Sequence, residues 1–505
     1  MRRVGATHLH VQARMPPGPV PKDWLGRAKK HAHFIAADAG WDGKLWAVGG
    51  KANPIRDRRH QVNTFHYILG HVAEGAWVWD FRTDRDNDTT ESTPRPESPG
   101  TAVPGLSTYT NPQAQRTLPE RYPLMTPAAT LAELVRRPSV NPMGRTDLPA
   151  DILYEHRVTD YLHGRLRDLG VAVERQTVRP GRDNLAAVYE PPGTPPFTTV
   201  FECHQDTVPV DAMTVEPFAA RVEGGKLYGR GACDVKGGAA VMLAAFERLV
   251  RDRPVGSARV VLAYTVDEEH TFLGVQELVK RGLAADYAVV AEPTLLNIVG
   301  AHKGVVRWVA ETAGRACHSS RPENGVNAVY RMARILTAVE RYAAELQARP
   351  PHPTLGPRTT SVGRITGGVS PNTVPDVCRI DIDRRLLPGE TAEAAAADLE
   401  AFLKAAADVP FTLVQSHAAC PPLDPTRSGE LAARLGAAID AVAGRHEVHA
   451  VPYGTDASTL SGGGIPAVVF GPGDIAQAHT KDEWIDLSQL DPAAEILFRF
   501  ACGTP

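Results

Sequence analysis

Two hydrophobic periods alternate along most of this chain. Val158, Leu162, Leu166 and Leu169 recur at steps of four, four and three, the apolar stripe of one helix face. Gly170 follows as a stop signal. Short, nearly continuous apolar runs behave differently. FTTVFEC (197–203), ARVVLAYTV (258–266), DYAVVAE (286–292) and PAVVF (466–470) have the length and β-branched content of buried strands. Between them GGAAVMLAAFERLVRD, GVQELVKRG and LAARLGAAIDAVAG read as helices. Strands alternating with helices predict an α/β fold, a parallel-rich sheet sandwiched by helices.

A second pattern is set inside the first. Over residues 299–418 come KGVVRWVAETAG, a helix around NAVYRMARILTAVERYAAELQ, TTSVGRI, VCRIDIDRR and the helix TAEAAAADLEAFLKAA. The order strand, helix, strand, strand, helix predicts a small α+β, ferredoxin-like unit with an antiparallel sheet. The larger domain is therefore expected over 121–298 and 419–505, with the smaller unit inserted. Residues 1–81 form a basic, His-rich extension of unknown fold. Its first sixty residues hold twelve Lys and Arg against four Asp. His60, His66 and His71 in it could bind a metal, but a basic, helical docking module is the plainer reading. Residues 82–120, rich in Pro, Ser, Thr and Asp, read as a linker.

Composition narrows the function. Apolar residues make up 43% of the 505, charged residues 22%, and the formal net charge is −3. The chain can bury a core and offers no whole-protein case for binding nucleic acid or an anionic membrane. No apolar run approaches the roughly 20 residues that span a bilayer. The start has no apolar stretch of the secretory kind. Six cysteines without a C-x-x-C read as the reduced thiols of a cytoplasmic protein.

The chemistry-bearing residues follow the strands. His204 and Asp206 come after the first, Asp267, Glu268 and Glu269 after the second, Glu292 at the end of the third, and His479 a loop beyond the fourth. In an open parallel sheet, ligands bind in the crevice at the strands' C-terminal ends. Carboxylates and imidazoles gathered there desolvate and repel one another unless a cation is bound. Histidine with Asp and Glu, without thiolates, suits zinc, or cobalt or manganese. Taken singly, each piece has a bland reading. H-x-D after a strand is commonly a loop pair, two Glu at a helix start favour the dipole, and GRGACDVKGG lacks the P-loop pattern.

The combination resembles the metallopeptidase family of acetylornithine deacetylase, succinyl-diaminopimelate desuccinylase, aminoacylases and glutamate carboxypeptidases. The matching motifs are CHQDTVP (203–209), EPF (216–218), LYGRGACDVKGG (227–238), DEEHTFLG (267–274), AEPT (291–294), HSSRPENGVNA (318–328), GGVSPNTVPD (367–376), RLLPGE (385–390), GTDAS (454–458) and GPGDIAQAH (471–479). They cover residues 125–500 in the family's order.

The resemblance implies two divalent metal ions, zinc first. His204 and Glu292 would ligate one, Glu269 and His479 the other, and Asp234 would bridge them. Asp206 would orient His204, and Glu268 would act as general base. It also implies that the inserted unit is a lid and dimerisation domain of a homodimer. Arg385 would pair with the substrate carboxylate, Asn372 would help hold the substrate, and His318 would stabilise the oxyanion from the partner subunit. Asp267 receives no role. Cys203 and Cys233, beside His204 and Asp234, read as packing residues.

GPGDIAQAHTKDEW (471–484) and RLLPG resemble acetylornithine deacetylases in particular, which implies hydrolysis of N-acetyl-ornithine, a small N-acyl amino acid, in arginine synthesis. Succinyl-diaminopimelate desuccinylase and a broader dipeptidase or aminoacylase are the alternatives. A non-enzymatic binding member is disfavoured, because the ligands and the base are all present.

Overall fold

A computed structural model describes residues 124–416 and 419–503. The basic extension, the histidines within it and the linker expected over residues 1–120 lie outside the described residues.

The larger sheet has eight strands: β1 (Val173–Arg179), β2 (Arg182–Tyr189), β3 (Thr198–His204), β6 (Arg259–Thr265), β7 (Tyr287–Val290), β8 (Ile298–His302), β15 (Val448–Val451) and β16 (Ala467–Val469). Their order is β1-β2-β6-β3-β7-β16-β8-β15. The α/β expectation holds, and the central strands β6, β3, β7 and β16 are mutually parallel. The edges depart from it. β1 and β2 form an antiparallel hairpin turned at Gly181, whose φ is +75°, and β2 runs antiparallel to β6.

Helices cover both faces. On one lie α1 (Pro127–Val135), α2 (His156–Asp168), α3 (Gly237–Asp252), α7 (Gly429–Ala443) and α9 (Leu490–Cys502). Leu162, Phe246, Leu435 and Leu497 from this layer pack with Phe201 and Leu262 of the sheet. On the other lie α4 (Leu273–Lys280) and α8 (Asp456–Gly462), whose Val275, Leu278 and Leu460 meet Val200, Val261 and Val469. The alternate residues of β3 thus serve two cores, as a strand buried on both faces requires. Gly274 opens α4 so close to β6 that a Cβ there would lie 2.3 Å from the Val266 carbonyl oxygen.

The second sheet lies between Gly304 and Gln415. It comprises β9 (Gly304–Ala313), β11 (Thr359–Gly367), β13 (Val377–Leu386) and β14 (Thr412–Gln415), in the order β11-β13-β9-β14, all antiparallel. Helices α5 (Ala328–Ala348) and α6 (Ala392–Ala406) pack on one face through Met332, Ile335, Leu399 and Leu403 against Trp308, Ile380 and Ile382. Asn327 and Thr391 cap them, accepting from the Tyr330 and Ala394 N–H groups. The sequence pattern does not reveal β14, a short edge strand with mostly exposed residues.

This unit joins the larger one by two chain crossings laid side by side. Val305 and Cys420 exchange both backbone hydrogen bonds (2.8 and 3.0 Å), and His302 and Leu423 do the same at 3.4 and 3.0 Å. Phe246, fully buried in α3, gives the test of the main core. Phe246→Ala should cost about 3–5 kcal/mol, read as a lowered thermal unfolding midpoint. An unchanged midpoint would place Phe246 outside the load-carrying core.

Candidate metal centre

Three neighbouring strand ends and two loops converge. β3 ends on His204. Asp267, Glu268 and Glu269 follow β6, and Glu292 lies two residues beyond β7. Asp234 sits in a short distorted helical turn before α3. His479 lies past β16, in a loop that leads into β17 (Trp484–Asp486).

The structure brings five of the sequence's metal candidates together. His204 Nε2 lies 3.4 Å from Asp234 Oδ1 and 3.7 Å from Glu292 Oε1. His479 Nε2 lies 3.2 Å from Asp234 Oδ2 and 3.2 Å from Glu269 Oε2. Asp234 therefore turns one oxygen to each imidazole. Glu268 is also close, its Oε2 being 4.0 Å from His204 Nε2. His204, Asp234 and Glu269 form one set of donors within 4.8 Å of one another, and His204, Glu268 and Glu292 form another.

The donor set fits a cation. His204 Nε2, Asp234 Oδ1 and Glu269 Oε1 are buried and make no hydrogen bond, which is costly unless another group satisfies them. Burial alone would lower His204, but Asp234, Glu268, Glu292 and Asp206 lift it well above the usual range. Asp234 and Glu269 lift His479 to about 11. Burial pushes Glu268 and Glu292 far up. The cluster is thus short of positive charge, which divalent cations supply.

Asp206 is held beneath this group. Its oxygens accept the Glu268 and Glu269 N–H groups, each at 3.2 Å, and Oδ1 lies 3.7 Å from His204 Nδ1. The Nδ1 itself is 3.0 Å from the Asp206 carbonyl oxygen, so the main chain holds the ring more closely than the side chain does.

A network that the sequence does not reveal supports Asp206. Asn141 Nδ2 donates to Asp206 and to Asp267, both at 2.8 Å. Asp267, for which the motif suggests no task, sits at φ +69° and accepts from Arg182 at 2.7 Å. Arg182 also pairs with buried Glu155. Burial pushes Asp267 up, but Arg182 and the hydrogen bonds from Thr271 and Asn141 outweigh it and hold it below the carboxylate range. Asp267 thereby fixes the turn that presents Glu268 and Glu269.

Two further carboxyls were missed. Glu202 and Asp456 both reach the Thr265 hydroxyl, at 2.6 and 3.1 Å. The single hydroxyl proton can serve only one of the two at a time. Burial raises both, Glu202 to about 7. The available signals were a lone carboxylate inside an apolar strand and an unused Asp in GTDAS.

The remaining candidates lie in the second unit. β10 (Cys317–His318) pairs with β12 (Thr373–Val374), and the Ser319 N–H donates to the Asn372 carbonyl oxygen at 3.0 Å. His318 and Asn372 are exposed; His318 Nδ1 lies 2.7 Å from the Ser320 hydroxyl, and Asn372 Oδ1 accepts from Ser370. Arg385 stands opposite Val305 at the chain crossing, its guanidinium on Asp383 at 2.9 Å. Cys203 and Cys233 are buried, their thiols on backbone carbonyls. No helix among the described residues is long and apolar enough to cross a membrane.

Buried His and carboxylate donors at the strand ends of an α/β sheet, beside an inserted antiparallel unit, define a hydrolase of the metallopeptidase class. Residues 200–502 match peptidase family M20/M25/M40. The acetylornithine deacetylase of Myxococcus xanthus is 31% identical over 384 residues, 74% of this chain and 95% of that protein. The N-acetyl-L-citrulline deacetylase of Xanthomonas campestris pv. campestris is 32% identical, over 70% of this chain and 93% of that one. The fold is similar to that of an M20 family metallo-carboxypeptidase of Sulfolobus solfataricus, with a TM-score of 0.60 at 20% identity, covering 74% of this chain and 98% of that one. The chain belongs to the M20/M25/M40 family, among its acetylornithine deacetylase-like members.

Arg182 serves two buried carboxylates at once, which generates a prediction. Arg182→Met should cost about 3–5 kcal/mol, read by thermal unfolding, and Glu155→Gln in the same chain should return part of it. A double variant no more stable than Arg182→Met would refute the charge argument.

Proposed function

We propose that the chain hydrolyses the amide of an N-acyl amino acid, N-acetyl-ornithine first, releasing ornithine and acetate for arginine synthesis in the cytoplasm. The observation that carries the substrate is the match along 95% of the Myxococcus acetylornithine deacetylase. The 32% identity to the N-acetyl-L-citrulline deacetylase makes N-acetyl-citrulline the second reading.

In this reading one cation lies among His204, Asp234 and Glu292, the other among Asp234, Glu269 and His479. The division of Asp234, one oxygen toward each imidazole, supports it. Zinc fits these donors, with cobalt or manganese as alternatives. Such cations supply polarisation of the amide carbonyl and a water whose pKa approaches neutrality.

The chain's own residues do the rest. Glu268, whose Oε2 lies 4.0 Å from His204 Nε2, takes the water's proton and delivers it to the leaving nitrogen. Asp206 orients His204. Arg385 binds the substrate α-carboxylate with its planar fork, and Asn372 helps hold the substrate. His318 stabilises the tetrahedral oxyanion from the partner subunit of a homodimer, which accords with its exposure on the inserted unit. Purified full-length chain assayed against acetyl-ornithine, acetyl-citrulline and succinyl-diaminopimelate tests the substrate. Preference for either of the latter two would overturn the first reading.

Glu268→Gln should lower kcat by at least about 10²-fold with metal content unchanged; loss of metal would make Glu268 a ligand instead. The shared site has its own test. Glu268→Gln and His318→Ala chains should each be nearly inactive. Mixed with subunit exchange, they should recover about a quarter of wild-type activity, since half the dimers hold one intact site. Exchange without recovery would place His318 elsewhere.

A further inference from the structure

Two of the donors of the second cation, Asp234 and His479, come from chain segments about 250 residues apart. Residues 230–234 carry Asp234, and residues 479–483 carry His479. Strand pairing brings them together. β17 runs antiparallel to β5 (Lys226–Tyr228) with Trp484 opposite Tyr228, and the Gly229 N–H donates to the Glu483 carbonyl oxygen at 3.0 Å.

From that point the Glu483 side chain turns back into the other segment. Its Oε1 accepts the N–H groups of Cys233 at 2.9 Å and Asp234 at 3.0 Å. Its Oε2 accepts the Gly231 N–H at 2.9 Å and the Arg230 guanidinium at 2.7 Å. Glu483 is fully buried. Three backbone N–H groups of one short turn facing a single anion form a nest. The turn needs glycine at 231, where φ is +81° and a Cβ would meet Thr207 Cγ2 at 2.7 Å. All four hydrogen bonds are donated to the carboxyl, which suits its ionised form.

His479 thus hangs from the loop that Glu483 ends, and Asp234 from the turn that Glu483 grips. We infer that Glu483 is a positioning residue that fixes the separation of Asp234 and His479 and thereby sets the affinity of the second cation without touching it. The inference rests on the two-cation reading above. A residue needed only for folding would weaken the whole protein and both cations alike. A positioning residue acts most on the cation that needs both segments.

The experiment equilibrates the purified full-length chain with graded free Co²⁺ and measures metal bound per chain. Wild type should bind two. Glu483→Gln keeps the shape but turns an amide N–H₂ onto two of the donors. It should raise the Kd of the second Co²⁺ at least about tenfold, the scale of groups that orient metal ligands, and that of the first by less, since Asp234 serves both cations and His479 only the second. Arg230→Gln leaves the three backbone bonds in place and should shift the second Kd the same way by less. It carries the test if Glu483→Gln does not fold.

An unchanged second Kd, equal weakening of both ions, or failure of both variants to fold would overturn the inference. A wild-type chain that binds one Co²⁺ would overturn the two-cation reading and this inference with it. That failure is distinguishable because it shows before any substitution.

Discussion

Buried like charge is the constraint around which this protein is built. Asp206, Asp234, Glu268 and Glu292 lie within 4.0 Å of the single His204 ring, and Glu269 shares His479 with Asp234. Desolvated carboxylates at such spacing oppose one another strongly. The fold persists by giving each one a counterweight of a different kind. Asp206 is held by main-chain N–H groups and Asn141, Asp267 by Arg182, and Glu202 and Asp456 meet at the Thr265 hydroxyl. Asp234 Oδ1 and Glu269 Oε1, whose partner oxygens face His479, stay without a hydrogen bond, as donors for a cation would.

These counterweights come from distant parts of the chain. Asn141 and Glu155 precede the sheet, Arg182 opens β2, and Glu483 follows the last ligand. The centre is therefore a product of the closed fold rather than of any local motif. Its supports are main-chain dipoles and paired ions, which add little mobility and so keep donors in place for chemistry.

Strands β3, β6, β7 and β16 and helices α2, α3, α4 and α7 were legible because each carries one hydrophobic period throughout, whereas β1, β2, β8 and β15 left no such pattern. β3 and β6 are apolar runs buried on both faces, and α2 shows a single stripe. His204, Asp234, Glu269, Glu292 and His479 were legible because they stand at strand ends or in glycine-rich turns within ordered motifs. What escaped has a common physical cause. Asp267, Arg182, Asn141, Glu202 and Glu483 act through hydrogen bonds between segments far apart in sequence, and no local period encodes such a bond. β14 escaped for the opposite reason: its residues are too exposed for burial to leave a pattern.

The double crossing between the two units has a further meaning. Val305 pairs with Cys420 and His302 with Leu423, so the inserted unit leaves and re-enters the host at neighbouring points. To the host sheet, more than a hundred residues look like the tip of one hairpin. Such an insertion adds little loop-closure cost and places few demands on the register of the surrounding strands. The unit can therefore change its outer surface while the larger sheet and the side-chain cluster at its strand ends stay as they are.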